Sequence, residues 1–391
     1  MSIFVIILLV IAVAAAAFLI WKNRDDFSQQ NLESEPEDIR VPPLLRGINY
    51  LLSDKPDRAL QEMVHVAKIR SESAEVYMAL GEMFRAQGEY GRAVRIHQNL
   101  LARPDMPPEL HFQAYVSLGR DFQAGGLLDR ALKHYAKALA IQPDHVPSLT
   151  ACLRIREQSH EWDEAEWLVS RLEQIENQSY HEHRAYLKAE MAKDAMEHGD
   201  LPLCESLVIE ALKLFPGCTH AYLLLIQLLI QEGKADQAIK QAQAFLQQVK
   251  PEHHTLLPEI LMKDEAFYRK YGEAFLWDAW QQRHDVEVGV RWIEEVSKIQ
   301  GKAQGLKLKE KLNLTHLSLR HELRLAALDD AENNLVQQAK YWRLSMKLYA
   351  CKHCGVQVHD MRWQCPKCNT WGSMEPLQGS HVFGEEQHAI S

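Results

Sequence analysis

Four cysteines in the stretch YACKHCGVQVHDMRWQCPKCNTWG, residues 349–372, stand as two Cys-x-x-Cys pairs, Cys351 with Cys354 and Cys365 with Cys368. In each pair a tight turn aims two thiolates at one point, and two such knuckles supply a tetrahedral set of sulfurs suited to zinc or to a single iron. Gly355 follows the first pair and accepts the backbone twist that the turn needs. Ten residues separate the pairs, room for a small hairpin with Val356, Val358 and Trp363 on its apolar side. A closed four-sulfur shell leaves no open position for water or substrate, which argues against metal-assisted hydrolysis. Iron held this way would do one-electron chemistry, whereas zinc would be structural. With four thiolates present, His353 and His359 read as surface residues. Trp363 and Trp371 flank the second pair and are expected to pack it against the last helices, around Tyr341, Trp342 and Leu348.

The chain that must position this clip has 391 residues, a net charge of −9, 47% hydrophobic and 25% charged residues, the balance of a globular protein with more than one unit. The acidic excess argues against a general affinity for nucleic acid, although Lys352, Arg362 and Lys367 make the clip locally basic. Cys152, Cys204 and Cys218 fall within apolar helical pattern and are expected as small core residues. No Gly-rich phosphate-binding segment and no nucleophile with a base at motif spacing occur, so catalysis is not expected.

Residues 1–21, MSIFVIILLVIAVAAAAFLIW, carry no charged side chain. At about 1.5 Å rise per residue this run spans a hydrocarbon core of about 30 Å, and a single transmembrane helix is expected there. Lys22 and Arg24 follow it directly, which keeps the rest of the chain on the cytoplasmic side, with Trp21 at the interface. The rival is a cleaved signal peptide, which would want a basic residue ahead of the run. Residues 22–43 are polar and acidic and read as a cytoplasmic tether.

Between anchor and clip the sequence repeats. In residues 74–101, Leu80, Gly81, Phe84, Gly88, Tyr90 and Ala93 fall at the spacings of a tetratricopeptide repeat, and Leu118, Gly119, Phe122, Gly126, Leu128 and Ala131 repeat them. Ala59, Ala93, Ala131, Ala165, Cys204 and Ala238 lie 34, 38, 34, 39 and 34 residues apart, so three of five intervals equal the repeat length. Residues 44–250 are therefore assigned to these repeats, residues 251–346 to degenerate helical repeats with a turn near Asp329 and Asp330, 347–377 to the four-cysteine domain and 378–391 to an acidic tail. The likeness to tetratricopeptide repeats implies a scaffold whose inward positions hold a protein partner: Glu75, Met78, Glu82, Arg85, Gln113, Val116, Arg120 and Gln123.

Anchor, repeats and the C-terminal YACKHCG and WQCPKCNTWGSMEPLQG segments, taken in that order, resemble the bacterial lipopolysaccharide assembly protein B family. The resemblance implies an all-α fold, a tetratricopeptide-repeat superhelix with an N-terminal transmembrane helix and a small rubredoxin-like or zinc-ribbon domain. It implies a non-enzymatic adaptor in the bacterial inner membrane, single-pass, with most of the chain cytoplasmic. Its partners would be a membrane AAA+ metalloprotease, the lipid A-pathway deacetylase and a lipopolysaccharide-sensing inner-membrane regulator, with a homodimer also admitted and no nucleic acid. The metal ligands carry over to Cys351, Cys354, Cys365 and Cys368; the rubredoxin likeness favours iron, a structural cytosolic site favours zinc, and zinc is preferred. A general protein-assembly or chaperone platform and a rubredoxin-like electron carrier stay open as alternatives. The tail SHVFGEEQHAIS departs from the family pattern.

Overall fold

The computed structural model describes residues 74–103, 106–315, 317–328 and 347–377, with Arg46, Tyr50, Arg58, Gln61 and Gln337. The expected membrane span 1–21, the tether 22–43, Ala59, the turn near Asp329 and Asp330, Tyr341, Trp342 and the tail 378–391 lie outside the described residues. Among the described residues, no helix is long and apolar enough to cross a membrane. The fold is mostly helical, of tetratricopeptide type, and ends in a small three-stranded ribbon. The chain divides into two compact units at Pro143.

Among the described residues, the first unit carries the helical hairpins α1 (Ala74–Ala86) with α2 (Tyr90–Leu101) and α3 (Pro108–Ala124) with α4 (Leu128–Ile141). The second continues with α5 (Val146–Gln158), α6 (Trp162–Glu176), α7 (His181–Glu197), α8 (Leu201–Leu214), α9 (Thr219–Gln231) and α10 (Ala235–Gln248). The second helix of a hairpin buries a narrow stripe at i, i+4 and i+7: Ala93, His97 and Leu100 in α2, Ala131, Tyr135 and Ala138 in α4, Ala238, Ala242 and Phe245 in α10. Ala93, Ala131, Ala165, Cys204 and Ala238 are all fully buried, because a small side chain there lets paired helices approach closely. Cys152 and Cys218 are buried as well.

Each hairpin turns two residues before its second helix, and the residue there has positive φ: Gly88 (77°), Gly126 (74°), His160 (58°), Gly199 (81°) and Gly233 (71°). Glycine occupies four of these five positions since only it adopts this backbone without strain; His160 takes the fifth and leans its ring on Trp162, with centroids 4.9 Å apart.

Helix α9 is buried almost all round and packs against α7, α8, α10 and α11 (Leu257–Met262), which follows a 3₁₀ turn at Pro251–Leu256. The regular hairpin register then lapses: a helical turn at Glu265–Phe267 runs through a π turn, Tyr268–Gly272, into α12 (Glu273–Arg283). Helices α13 (Val286–Ile299), α14 (Lys302–Leu312) and α15 (Leu319–Ala326) follow among the described residues. Arg324 on α15 makes a two-pronged contact with the buried Glu294 on α13, at 3.1 and 2.7 Å, and also pairs with Glu287. Arg320 on α15 donates to the Lys347 carbonyl at 2.7 Å, tying this end of the helical part to the start of the ribbon.

In the ribbon, β1 (Tyr349–Cys351) is central and pairs antiparallel with β2 (Gln357–Val358) and β3 (Met374–Pro376). Tyr349 faces Val358 on one side and Pro376 on the other. The gap between the two cysteine pairs, expected to hold a small hairpin of its own, contributes only β2, which pairs with β1 ahead of the gap, and β3 adds the other edge strand.

Candidate metal centre

The two knuckles are built alike. After Cys354, Gly355 has φ 69° and donates its N–H to the Cys351 carbonyl at 2.9 Å; after Cys368, Asn369 has φ 56° and donates to the Cys365 carbonyl at 2.9 Å. Cys351 N–H donates to the Val356 carbonyl at 2.9 Å, and Cys365 N–H to that of Thr370 at 3.0 Å. Asparagine tolerates the left-handed region better than most residues, so Asn369 performs for the second knuckle what Gly355 performs for the first. Sequence reasoning singled out only the glycine.

The four Sγ atoms lie within 4.8 Å of one another. Cys351 and Cys368 are 3.6 Å apart, as are Cys354 and Cys365, far beyond a disulfide bond. A tetrahedron with metal–sulfur bonds of about 2.3 Å has edges of about 3.8 Å, so the donor set fits a four-thiolate metal ion. Backbone amides support the sulfurs: Lys367 and Cys368 donate to Cys365 Sγ at 3.4 and 3.5 Å. Burial raises the Cys351 thiol, but its hydrogen bonds with Ser373 and the amides of Cys354 and His353 outweigh this and bring it down to about 6. Burial pushes Cys365 up to about 12, while the hydrogen bond with Thr370 lowers Cys368. A bound dication would hold all four as thiolates. His353 and His359 are exposed, as their reading as surface residues required.

The ribbon docks on the helical hairpins of the second unit, through residues the sequence did not point to. Trp363 stacks on His220 of α9, with centroids 4.7 Å apart and planes 13° apart, and lies 6.2 Å from Tyr186 of α7. Trp371 stacks on Tyr186 at 5.9 Å and meets Trp162 edge-on at 6.5 Å. Of the three residues expected to receive these tryptophans, Tyr341 and Trp342 lie outside the described residues, and Leu348 belongs to the ribbon's own sheet, where its amide bonds the Val358 carbonyl and its carbonyl takes the Leu377 amide. Polar contacts fix the register of docking. The buried Glu157 of α5 accepts from Trp371 Nε1 at 2.9 Å and Gln364 Nε2 at 2.7 Å, and its Oε1 meets His183 Nε2 at 2.5 Å. His253, in the 3₁₀ turn, bridges Thr219 Oγ1 at 2.7 Å and the Met374 carbonyl at 3.0 Å.

The eight positions assigned to a partner surface all lie in the first unit. Glu75, Glu82, Gln113 and Arg120 are exposed. Met78 is half-buried and packs on Leu100, Met106 and Ala114. Arg85 donates to the buried Asp121 at 2.8 Å, and Asp121 also meets His97 Nδ1 at 2.6 Å. Gln123 accepts from the Tyr135 hydroxyl at 2.8 Å. Val116 departs from its assignment: it is buried in a core cluster with Phe112 and Ala138 and presents no open face.

Residues 349–376 match the family described as a rubredoxin metal binding domain, and residues 76–109 and 190–252 match tetratricopeptide repeat families. Lipopolysaccharide assembly protein B of Haemophilus influenzae is 30% identical over 355 residues, 85% of this chain and 88% of that protein. Its namesake from Escherichia coli K12 is 24% identical over 387 residues, 95% of this chain and 98% of that protein. Among solved structures, a tetratricopeptide repeat protein from Parabacteroides merdae aligns with 73% of this chain and 97% of its own length, at 12% identity and a TM-score of 0.35.

Proposed function

The chain belongs to the lipopolysaccharide assembly protein B family, and from that premise we propose that it is a membrane-anchored cytoplasmic adaptor that governs lipopolysaccharide output. Residues 1–21 cross the bacterial inner membrane and hold the repeats at its cytoplasmic face. The repeats carry the deacetylase of the lipid A pathway to a membrane AAA+ metalloprotease for degradation, and a lipopolysaccharide-sensing inner-membrane protein opposes them. The observation that carries this reading is the length of the kinship, which takes in the repeats and the ribbon together, over 85% of the chain. A scaffold that holds two proteins beside one membrane raises their effective concentration to about millimolar, so it needs no chemistry of its own.

Cys351, Cys354, Cys365 and Cys368 hold one zinc ion in this reading. A zinc ion there would supply the structural cross-link between the two knuckles. The chain's own residues then do the docking, through Trp363, Trp371 and Gln364. Surface positions Glu75, Glu82, Gln113 and Arg120 are the proposed partner contacts.

Crosslinking in native membranes, with mass-spectrometric identification of the captured proteins, tests the adaptor role. Recovery of the metalloprotease and the deacetylase is the expected result. A broad set of unfolded clients would favour a general assembly platform instead. A red purified protein that exchanges electrons with a reductase would replace the structural zinc site with an iron electron carrier.

A further inference from the structure

Helix α14 and the turns beside it, residues 298–319, carry Lys298, Lys302, Lys307, Lys309 and Lys311 against one carboxylate, Glu310, in a chain whose net charge is −9. All five lysines are exposed. Gly305, Leu308 and Leu312 form the buried side of α14, which packs on α13 and leaves the rest of the helix to the lysines. The chain's own acids neutralise this charge only in part. Lys298 lies 3.7 Å from Glu295, and Lys311 lies 3.7 Å from Glu273. Among the described residues, no carboxylate pairs with Lys307 or Lys309. The Lys311 ammonium also sits over the half-buried Trp277 ring of α12, 4.3 Å from its centroid. At the two ends of the basic run stand apolar side chains turned to solvent: Ile299, 40% exposed, and Leu319, 50% exposed.

Residue type decides which anion fits. Lysine is a hydrated point charge suited to a diffuse anionic surface, whereas a partner's carboxylates are gripped best by the two-pronged guanidinium of arginine. Residues 298–319 contain no arginine. Nucleic acid would satisfy the lysines but leave Ile299 and Leu319 without apolar contact. A bilayer surface takes both, since it accepts apolar side chains between headgroups whose phosphates meet the lysines. We propose that α14 is a second hold on the membrane, an interfacial helix whose lysines rest on anionic phospholipid, with Ile299 and Leu319 entering the headgroup layer. The inference rests on residues 1–21 as the membrane span at one point only: that anchor keeps α14 near the leaflet. Each lysine close to an anionic leaflet strengthens such a contact about fivefold, and added salt weakens it. The hold keeps the last helices of the second unit at the bilayer, where a membrane-embedded partner is reached.

The test uses the full-length chain with vesicles of phosphatidylcholine alone and of phosphatidylcholine mixed with phosphatidylglycerol. Acetylation of Lys307 and Lys309, read by mass spectrometry, should be about fivefold slower on the mixed vesicles than on the neutral ones. High salt should abolish the difference. The charge reversal K307E/K309E, at two exposed positions, should remove the matching protection of Lys302. Flotation with the neutral vesicles reports the span of residues 1–21 separately, so failure of that reading gives a different result. A chain that does not insert should still float with the mixed vesicles, and K307E/K309E should reduce that flotation about tenfold. Equal acetylation on the two kinds of vesicle overturns the proposal. In a chain that does not insert, so does absent flotation with the mixed vesicles, or flotation that K307E/K309E leaves unchanged. Protection by polyglutamate but not by the mixed vesicles also overturns it, and assigns α14 to an acidic protein instead.

Discussion

The Trp371 indole donates to Glu157 at 2.9 Å across 214 positions of chain, and both side chains are buried. Glu157 also takes Gln364 and His183, so one carboxylate on α5 gathers three donors, two of them from the ribbon. Glu157→Ala would leave the buried Trp371 indole without an acceptor and take one acceptor each from Gln364 and His183, at a cost of about 1–3 kcal/mol. The loss should appear as faster amide exchange in residues 347–377 with little change in α1 to α4. Trp371→Phe removes a single donor and should cost less than Glu157→Ala. Equal exchange in the ribbon of Glu157→Ala and the unaltered chain would show that aromatic stacking alone holds it.

Cys365→Ser should strip the ribbon of metal and undock it. Cys365 is fully buried and takes two backbone amides, so an alcohol there loses both a ligand and a well-supported sulfur. Metal affinity that contributes to folding is lost with it. Metal content should fall well below one equivalent per chain, and Trp363 and Trp371 fluorescence should shift to the red as the rings leave Tyr186 and His220. A strong chelator should give the same spectrum with the unaltered chain. Unchanged metal content and melting temperature in Cys365→Ser would exclude a structural four-thiolate site.

Acid should loosen the docked ribbon through His253. Burial lowers its pKa, and the hydrogen bond to the Met374 carbonyl only partly offsets this. The folded chain therefore binds this proton less readily than the unfolded chain, whose histidine titrates near 6.5. The contribution of neutral His253 is whole above about pH 6.5 and is lost as pH falls below it, by at most about 1.4 kcal/mol per pH unit. Glu287 acts in another window. Burial raises it, but His321 and Arg324 hold it down to about 2, so its contribution fades only below about pH 4.5. Urea unfolding at pH 7.5 and 5.5 should show the loss, and His253→Gln should reduce the slope between them.

The repeats were legible because their signal is periodic and local. A buried stripe at i, i+4 and i+7 with a small residue at its head recurs near every 34 residues, and each of its described members is buried. The four-cysteine set was legible because a knuckle is a local turn. Long-range docking left no such mark. Trp363 and Trp371 announce a packing surface, but nothing near them in sequence names α5, α7 and α9 as the other half. Nearness along the chain pointed to residues 341–348 instead. Strand β3 is three residues long and shows no alternation to read. His160 was hidden for a related reason: the turn calls for positive φ, and composition reveals it only when the residue is glycine. Val116 shows the limit of carrying inward positions over, since one step of helix rotation separates an open face from the core.

Paired positions in the hairpins trade volume, and this can be tested directly. A Cβ at Gly81 would come within 2.4 Å of His97, and one at Gly119 within 2.5 Å of Tyr135. The same two positions hold Ala192 with Val208 in α7 and α8, and Ile226 with Ala242 in α9 and α10, all fully buried. In each of these pairs a small residue faces a larger one. Gly119→Ala should therefore destabilise the first unit by about 1–3 kcal/mol, because the Tyr135 ring cannot move without giving up its bond to Gln123. Tyr135→Val should cost a similar amount or more by leaving a cavity. The double substitution recreates the Ala and Val pair of α7 and α8, and should be more stable than the sum of the two losses predicts, by about 1 kcal/mol. Denaturant unfolding of the four chains gives the coupling directly. Simple additivity would mean that the glycine and the tyrosine are not packed as partners.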